Sequence, residues 1–330
     1  MNFKKLAVCV AVAATLGGGI AGQAVAGAMA ESDLVVTNFI FTNGSGTALS
    51  ISDFSSISFS DKLSNSAILG AATDNHQAIA GTFSPSTDAM MACVGPGCGS
   101  PPATENNFTP DTPPPTTLFA RGDSLLENSP INVPSLTTGV EASTIGETSL
   151  TDGYTGSGGA DSSILLGADF TFTTAQAIGS LGVSFSANKY LNAWTSPGTT
   201  NPTSAQADMH WTLTLLDADG NVLALWNPNG VIDSGSANAL GLTETSDACQ
   251  LNQTVRAGPN SPNVPITCTG FEQAFTNFAL DANTTYTISV GHSVNTQATN
   301  VARVPEPATL ALLGLGLLGL GIARRQSQPK

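Results

Sequence analysis

Apolar and polar residues alternate at a period of two through much of the chain. The runs 34–43 (LVVTNFIFTN) and 48–63 (ALSISDFSSISFSDKL) follow this pattern, and the turn sequence GSGT lies between them at 44–47. Successive side chains of a strand point to opposite faces of a sheet, so this alternation predicts strands. Further runs of this kind lie at 162–175, 179–194 and 284–294.

A hairpin is predicted at 209–230. Trp211, Leu213 and Leu215 would share one face of its first arm, and an Asp-Gly turn separates the two arms. Amphipathic helical periodicity is nearly absent between the two ends of the chain. Many short strands joined by turn-rich loops predict an all-β body, an antiparallel two-sheet sandwich or jelly roll.

The stretch 84–117 interrupts the strand pattern with eight prolines. Proline lacks a backbone N–H and fixes φ, so this stretch cannot form a central strand or a long helix. We predict a surface excursion within one body, pinned by a bond between Cys93 and Cys98.

The N-terminal sequence has the three parts of a secretory signal peptide. Lys4 and Lys5 precede an apolar run, and small residues follow it. We therefore predict a signal helix and a signal peptide at 1–30. Cleavage after Ala30 is preferred because a polar segment follows, and cleavage after Ala26 is the alternative. A first transmembrane helix fits the small-residue region less well.

The C-terminal sequence is apolar in an otherwise polar chain. Pro305, Glu306 and Pro307 precede an apolar run at 308–323, which Arg324 and Arg325 follow. As a helix this run is about 24 Å long, a little short of a full membrane span. Flanking arginines can extend to the interface and remain cytoplasmic, so we predict one short transmembrane helix.

This tail resembles a PEP-CTERM sorting signal. The resemblance rests on the Pro305-Glu306-Pro307 triplet, the Gly/Leu-rich helix and the basic pair. It implies an exported protein of a Gram-negative bacterium, anchored transiently in the inner membrane and cleaved near the triplet by an exosortase. It also implies a final place at the cell surface or outside the cell, and association with exopolysaccharide production. The predicted organisation is thus a signal peptide at 1–30, a body at 31–303 and a sorting tail at 304–330.

Charge narrows the choice of partners. The chain has 24 acidic and 10 basic residues and a net charge of −14. Lys4, Lys5, Arg324, Arg325 and Lys330 lie in the two terminal segments, so the body is more acidic still. Nucleic acids and anionic membrane surfaces are poor partners for such a negative field.

Four cysteines remain once the signal peptide is removed. Cys93 and Cys98 form one local pair, and Cys249 and Cys268 form another. In an oxidising compartment each pair is expected to form a disulfide. The alternative, a metal site with four thiolates, lacks the usual C-x2-C spacing.

Residues 121–125 contain two short motifs. Gly122-Asp123-Ser124-Leu125 resembles the nucleophile motif of GDSL-type esterases, and Arg121 extends it to a cell-adhesion tetrapeptide. A serine nucleophile needs a base and a group that orients it. No acidic residue stands three positions before any of the histidines, which are His76, His210 and His292. We therefore expect Ser124 to be structural.

Two other groups have a functional and a structural interpretation. Asp217, Asp219 and Asn221 form a weak calcium candidate, but no acidic ligand closes the loop and a simple hairpin turn is the better interpretation. Four aromatic residues could line a sugar-binding face, and they are Tyr190, Trp194, Trp211 and Trp226. We expect them instead to belong to the core or rim of the sheets.

The sequence thus predicts a disulfide-stapled, non-enzymatic β protein of the cell surface or biofilm matrix, with a structural or adhesive role. A carbohydrate-binding module is the alternative, and a secreted esterase-like hydrolase is the third interpretation. We expect no cofactor, no metal ion and no catalytic residues. The expected partners are an exosortase, the inner membrane before processing, and exopolysaccharide.

Overall fold

The computed structural model describes residues 27–301, except 82–85, 135, 152, 173–178 and 200–201. Residues 1–26 of the predicted signal peptide lie outside the described residues, and residues 28–30 belong to a strand rather than to the predicted signal helix. The predicted membrane helix also lies outside, as does the sorting tail with its five named residues, which are Pro305, Glu306, Pro307, Arg324 and Arg325. In the described part of the chain, no helix has the length and apolar character needed to cross a bilayer.

Strands dominate the body. The described residues form one short 3-10 turn at Ile51–Asp53 and fifteen strands: β1 (Ala28–Asn43), β2 (Phe54–Leu69), β3 (Ala72–Ala80), β4 (Ser86–Val94), β5 (Phe119–Glu127), β6 (Val140–Leu150), β7 (Gly156–Phe172), β8 (Leu181–Thr195), β9 (Ser204–Leu216), β10 (Val222–Trp226), β11 (Ala239–Leu240), β12 (Leu242–Ser246), β13 (Gln253–Ala257), β14 (Ile266–Thr276) and β15 (Thr285–Asn300).

These strands form two antiparallel sheets packed as a sandwich, which confirms the predicted fold class. The seven-stranded sheet has the order β12-β14-β8-β1-β6-β5-β4. The eight-stranded sheet has the order β11-β10-β9-β15-β7-β2-β3, with β13 paired to β9. The predicted hairpin is present as β9 and β10. The GSGT turn at 44–47 reverses the chain through an antiparallel bridge between Thr42 and Ala48, but it does not pair β1 with β2, which belong to different sheets.

The inner faces of the two sheets meet around a cluster of aromatic rings. Phe185 of β8 lies 4.6 Å from Trp211 of β9 and 5.6 Å from Trp226 of β10, measured between ring centroids. Trp211 and Trp226 meet edge to face at 5.3 Å. Because the three rings come from both sheets, their packing holds the two layers together.

The first and last strands lie in the middle of their sheets. β1 pairs with β6 and β8, and β15 pairs with β7 and β9. The Gly27 amide donates to Ser196 Oγ at 2.8 Å, and the Val301 amide donates to Thr203 Oγ1 at 3.4 Å. Both acceptors belong to the connection between β8 and β9. The two ends of the described chain therefore lie at the same end of the sandwich.

Both predicted disulfides are present. Cys93 and Cys98 join the end of β4 to the loop that follows it, and Cys249 and Cys268 join β14 to a preceding loop. The proline-rich stretch contains a strand in its first part, because residues 86–94 have no proline and form the edge strand β4. Its second part contains none of the fifteen strands. We call this segment (95–118) the covering loop.

We expect signal cleavage after Ala26, so that the mature protein begins at Gly27. Ala28, Met29 and Ala30 are fully buried in β1, and Ala28 pairs with strands on both sides. Cleavage after Ala30, which the sequence favoured, would remove these residues from a central strand. The intact mass of the exported protein measures the start directly, and a mature chain that begins at Glu31 would contradict this expectation.

Candidate functional site

A row of charged and polar side chains crosses the outer face of the seven-stranded sheet. Glu31 of β1 pairs with Asn192 of β8 and with Glu147 of β6, and Glu147 pairs with Arg121 of β5. All four residues are fully buried. We call these four residues the buried charged row. Asp33 of β1 and Asp123 of β5 form a second row beside it, on the same face of the sheet.

The alternation of strand β1 explains this placement. Leu34 and Val36 belong to the core between the sheets, and Ser32 donates to the Asp208 carbonyl of the opposite sheet at 2.8 Å. Side chains of intervening residues point the other way, so Glu31 and Asp33 face outward. An outward face is normally solvated, and here a further layer covers it.

The covering loop provides that layer. Arg121 Nη1 donates to the Asn107 carbonyl at 2.8 Å, and Nη2 donates to the Thr109 carbonyl at 3.3 Å. Nε of the same guanidinium donates to Glu147 Oε2 at 2.8 Å. The loop amide of Asn106 donates to Asp123 Oδ2 at 2.7 Å. The loop is therefore held down by polar bonds to the residues that it buries.

Negative charge exceeds positive charge under this loop. Among the described residues, Arg121 is the one basic side chain that forms an ion pair with these carboxyls. Several buried oxygens of the site have no hydrogen-bond partner among the described residues, and they belong to Glu31, Asp33, Asp123, Glu147 and Asn192. Burial of a carboxylate without partners is costly, so protonation is favoured.

The pKa values of the carboxyls reflect this environment. Burial, and then the charge of Glu147, raise the pKa of Glu31 well above its usual range. Burial raises the pKa of Asp33 well above its usual range and that of Glu147 to about 7, although Arg121 opposes both changes. A proton on Glu31 supplies a donor beside the unpartnered oxygens of Glu147 and Asn192. The site can therefore hold protons at neutral pH.

The adhesion and esterase motifs lie within this part of the structure. Gly122 is at a close approach of the sheets, since a Cβ there would be 2.3 Å from the Asp161 carbonyl oxygen. Arg121, Asp123 and Ser124 are fully buried in β5. Strand packing and the buried charged row thus account for Arg121, Gly122 and Ser124 of this motif without an adhesion partner.

The histidines are separate from one another. His292 is buried, with Nε2 2.8 Å from Thr144 Oγ1, and burial lowers its pKa to about 3, so the ring is neutral. His76 lies 3.2 Å from Asp74 and is partly exposed, and His210 is exposed on β9. The structure does not bring them together as a ligand set.

The aromatic and turn candidates have structural positions. Trp194, Trp211 and Trp226 are buried, so these indoles do not form an exposed sugar-binding platform, and Tyr190 is half-buried. Both carboxylate oxygens of Asp217 accept hydrogen bonds within the turn, from the amides of Asp219 and Asn221 and from the Asn221 side chain. These bonds fit a simple hairpin turn.

Sequence reasoning did not identify the buried charged row. Glu31 and Asp33 looked like the polar start of a mature chain, and Glu147 lay outside the strongest strand patterns. One signal was available, because Arg121 is one of few basic residues in the body. The partners of Arg121 come from distant parts of the chain, and only strand register brings them together.

The comparisons with known proteins concern the tail. Residues 303–325 match the PEP-CTERM protein-sorting motif, which confirms the resemblance seen in the sequence. No curated protein and no solved structure matches the chain.

Because its buried carboxyls have raised pKa values, we predict that the free energy of unfolding of the body falls as the pH rises. Glu272 of β14 is a further buried carboxyl outside this site, and burial raises its pKa to about 7 as well. Between pH 4.5, the ordinary value for glutamate, and about 7, folded Glu147 and Glu272 retain protons that the unfolded chain releases. These carboxyls therefore lower the free energy of unfolding through this window, and together they outweigh His292, whose low pKa has the opposite effect below pH 6.5. We expect a lower thermal midpoint at pH 8 than at pH 5, measured by calorimetry.

Glu31→Gln should stabilise the protein at pH 8, by on the order of 1–3 kcal/mol, and reduce the pH dependence. A neutral amide needs no proton and can donate to the unpartnered oxygens of Glu147 and Asn192. Glu141→Gln is the matched control, because Glu141 is exposed on the same face of β6. A Glu31→Gln protein that is destabilised at pH 8, with an unchanged pH dependence, would contradict this account of the row.

Proposed function

We propose that the body of this exported, exosortase-sorted protein is a non-enzymatic structural or adhesion-type component of the cell surface or biofilm matrix, associated with exopolysaccharide. The sorting motif at 303–325 is the observation that carries the proposal. Two disulfides and an acidic composition are typical of a protein that works outside the cytoplasm.

The connection between body and tail supports a role in which the body is held from one end. The tail follows directly after β15, which is hydrogen-bonded along almost its whole length to β7 and β9. A pull on the tail would act along this central strand and load many hydrogen bonds together. A body attached in this way is suited to bear force between its anchor and its surroundings.

The tail residues have separate proposed roles. Proline disfavours helix for the residue before it, so Val304 and Glu306 are biased toward extended backbone. In an extended Pro305-Glu306-Pro307 segment, the peptide bonds would be accessible to a processing enzyme, whereas a helix would hide them. The apolar run holds this segment near the membrane, and Arg324 and Arg325 orient it with the body outside.

A carbohydrate-binding module is the second candidate, and one groove favours it. An open groove of about 410 Å³ lies along β9, β13 and β15. Its lining includes planar polar side chains of Gln206, Arg256 and Gln297. The glutamine amides can donate to and accept from sugar hydroxyls, and the arginine guanidinium can donate to them. This groove, rather than the buried tryptophans, is where we would place a glycan.

Processing of the tail tests the sorting role. We expect a host with an exosortase to release or re-anchor a shortened chain, and a host without it to retain the tail. Pro305→Ala and Glu306→Ala should block processing without unfolding the body, because both lie outside it. Pro329→Ala is the matched control and should be processed normally. Intact-mass measurement of the secreted and membrane fractions distinguishes these products, and a secreted protein that keeps its tail through Lys330 in the exosortase-positive host would overturn the sorting role.

Fractionation of a biofilm tests the role of the body. We expect the processed protein to sediment with the matrix of a strain that makes exopolysaccharide and to enter the medium of a strain that does not. Arg256→Ala should weaken retention if the groove binds the glycan, whereas Asp219→Ala, on an exposed turn, should not. Equal distribution in the two strains would refute the association with exopolysaccharide and leave the sorting result unaffected.

A further inference from the structure

Three carboxylates meet at the edge of the covering loop. They belong to Asp88 of β4, Glu105 of the loop and Asp123 of β5, and one oxygen from each lies within 4.8 Å of the other two. Strand pairing places Asp88 of β4 opposite Leu125 of β5. Leu125 is two positions from Asp123, so Asp88 and Asp123 lie on the same face of the sheet. The loop brings Glu105 to them from a third segment. This arrangement, which we call the acidic triad, was not apparent in the sequence.

The charge of the nearby Arg121 acts on Asp123 but does not balance the three carboxylates of the triad. Among the described residues, none of the three carboxylates forms an ion pair with a basic side chain. Arg121 is close in sequence, but its bonds go to Glu147 and to carbonyls of the covering loop. Three carboxylates at this spacing repel one another, and a cation between them would remove that cost.

Asp123 supplies the second observation. It is fully buried, and its Oδ1 has no hydrogen-bond partner in the described structure, while Oδ2 accepts from the Asn106 amide at 2.7 Å. A buried carboxylate oxygen without a donor is rare unless a proton or a metal ion completes its environment. Asp88 and Glu105 are exposed, so water can complete the coordination of an ion from their side of the triad.

We propose that Asp88, Glu105 and Asp123 bind a calcium ion. Ca²⁺ takes six to eight oxygen ligands in flexible geometry, and it accepts carboxylates together with water. Mg²⁺ needs a near-ideal octahedron and releases its water reluctantly, so it suits three carboxylates from three separate segments less well. The exported location agrees with this choice, because calcium modules outside the cell work with dissociation constants on the order of 0.1–1 mM.

Calcium at this position would fasten the covering loop to the sheet. Glu105 already accepts from the Met91 amide of β4, and Asn106 bonds to both Asp88 and Asp123. A bound ion would link β4, the loop and β5 through one centre. The loop that shields the buried charged row would then be held by calcium as well as by Arg121, so the stability of the body would depend on calcium.

Calorimetric titration of the purified, chelator-treated full-length protein with CaCl₂ tests the proposal. We expect binding of a single ion and a calcium-dependent rise in the unfolding midpoint. Asp88→Asn and Glu105→Gln should each weaken binding by about tenfold or more, because fewer charged ligands remain. Both residues are exposed, so these variants keep the core intact. Glu141→Gln is the matched control and should bind as the unaltered protein does.

Three results would overturn the proposal. One is the absence of both heat and a midpoint shift at millimolar calcium. Another is unchanged binding in Asp88→Asn and Glu105→Gln. The third is loss of binding in Asp217→Asn with no effect of the triad variants, which would place the ion in the hairpin turn.

Discussion

The packing of two inner sheet faces around Phe185, Trp211 and Trp226 is the interaction on which the rest of the structure depends. These rings come from both sheets and are in mutual contact. Two central strands, β1 and β15, run through the layers that the rings join. Once the layers are joined, strand alternation decides which side chains face outward, and the outward face of β1 carries Glu31 and Asp33.

The buried charged row is a consequence of that alternation and of the covering loop. An isolated buried carboxylate is unfavourable, and one arginine cannot neutralise several of them. Arg121 offsets part of the cost by bonding to Glu147 and to two carbonyls of the loop. Protons that the carboxyls retain offset a further part of the cost of burial, since burial raises the pKa of Glu147 to about 7. The loop is therefore coupled electrostatically to the sheet beneath it.

The ends of the described chain connect this architecture to sorting. Gly27 and Val301 both bond to the connection between β8 and β9, so they lie at one end of the sandwich. Residues 303–325 match the PEP-CTERM protein-sorting motif and follow closely after Val301.

The sequence by itself determined the all-β class, both disulfides and the sorting motif, because each depends on local pattern or local spacing. Period-two alternation in β1 and β15, the close pairs Cys93–Cys98 and Cys249–Cys268, and a contiguous tail are all readable in short windows. Only the tertiary structure decided the buried charged row and the acidic triad. Their members lie far apart in the chain and meet through cross-strand register and loop folding, which depend on the whole sandwich.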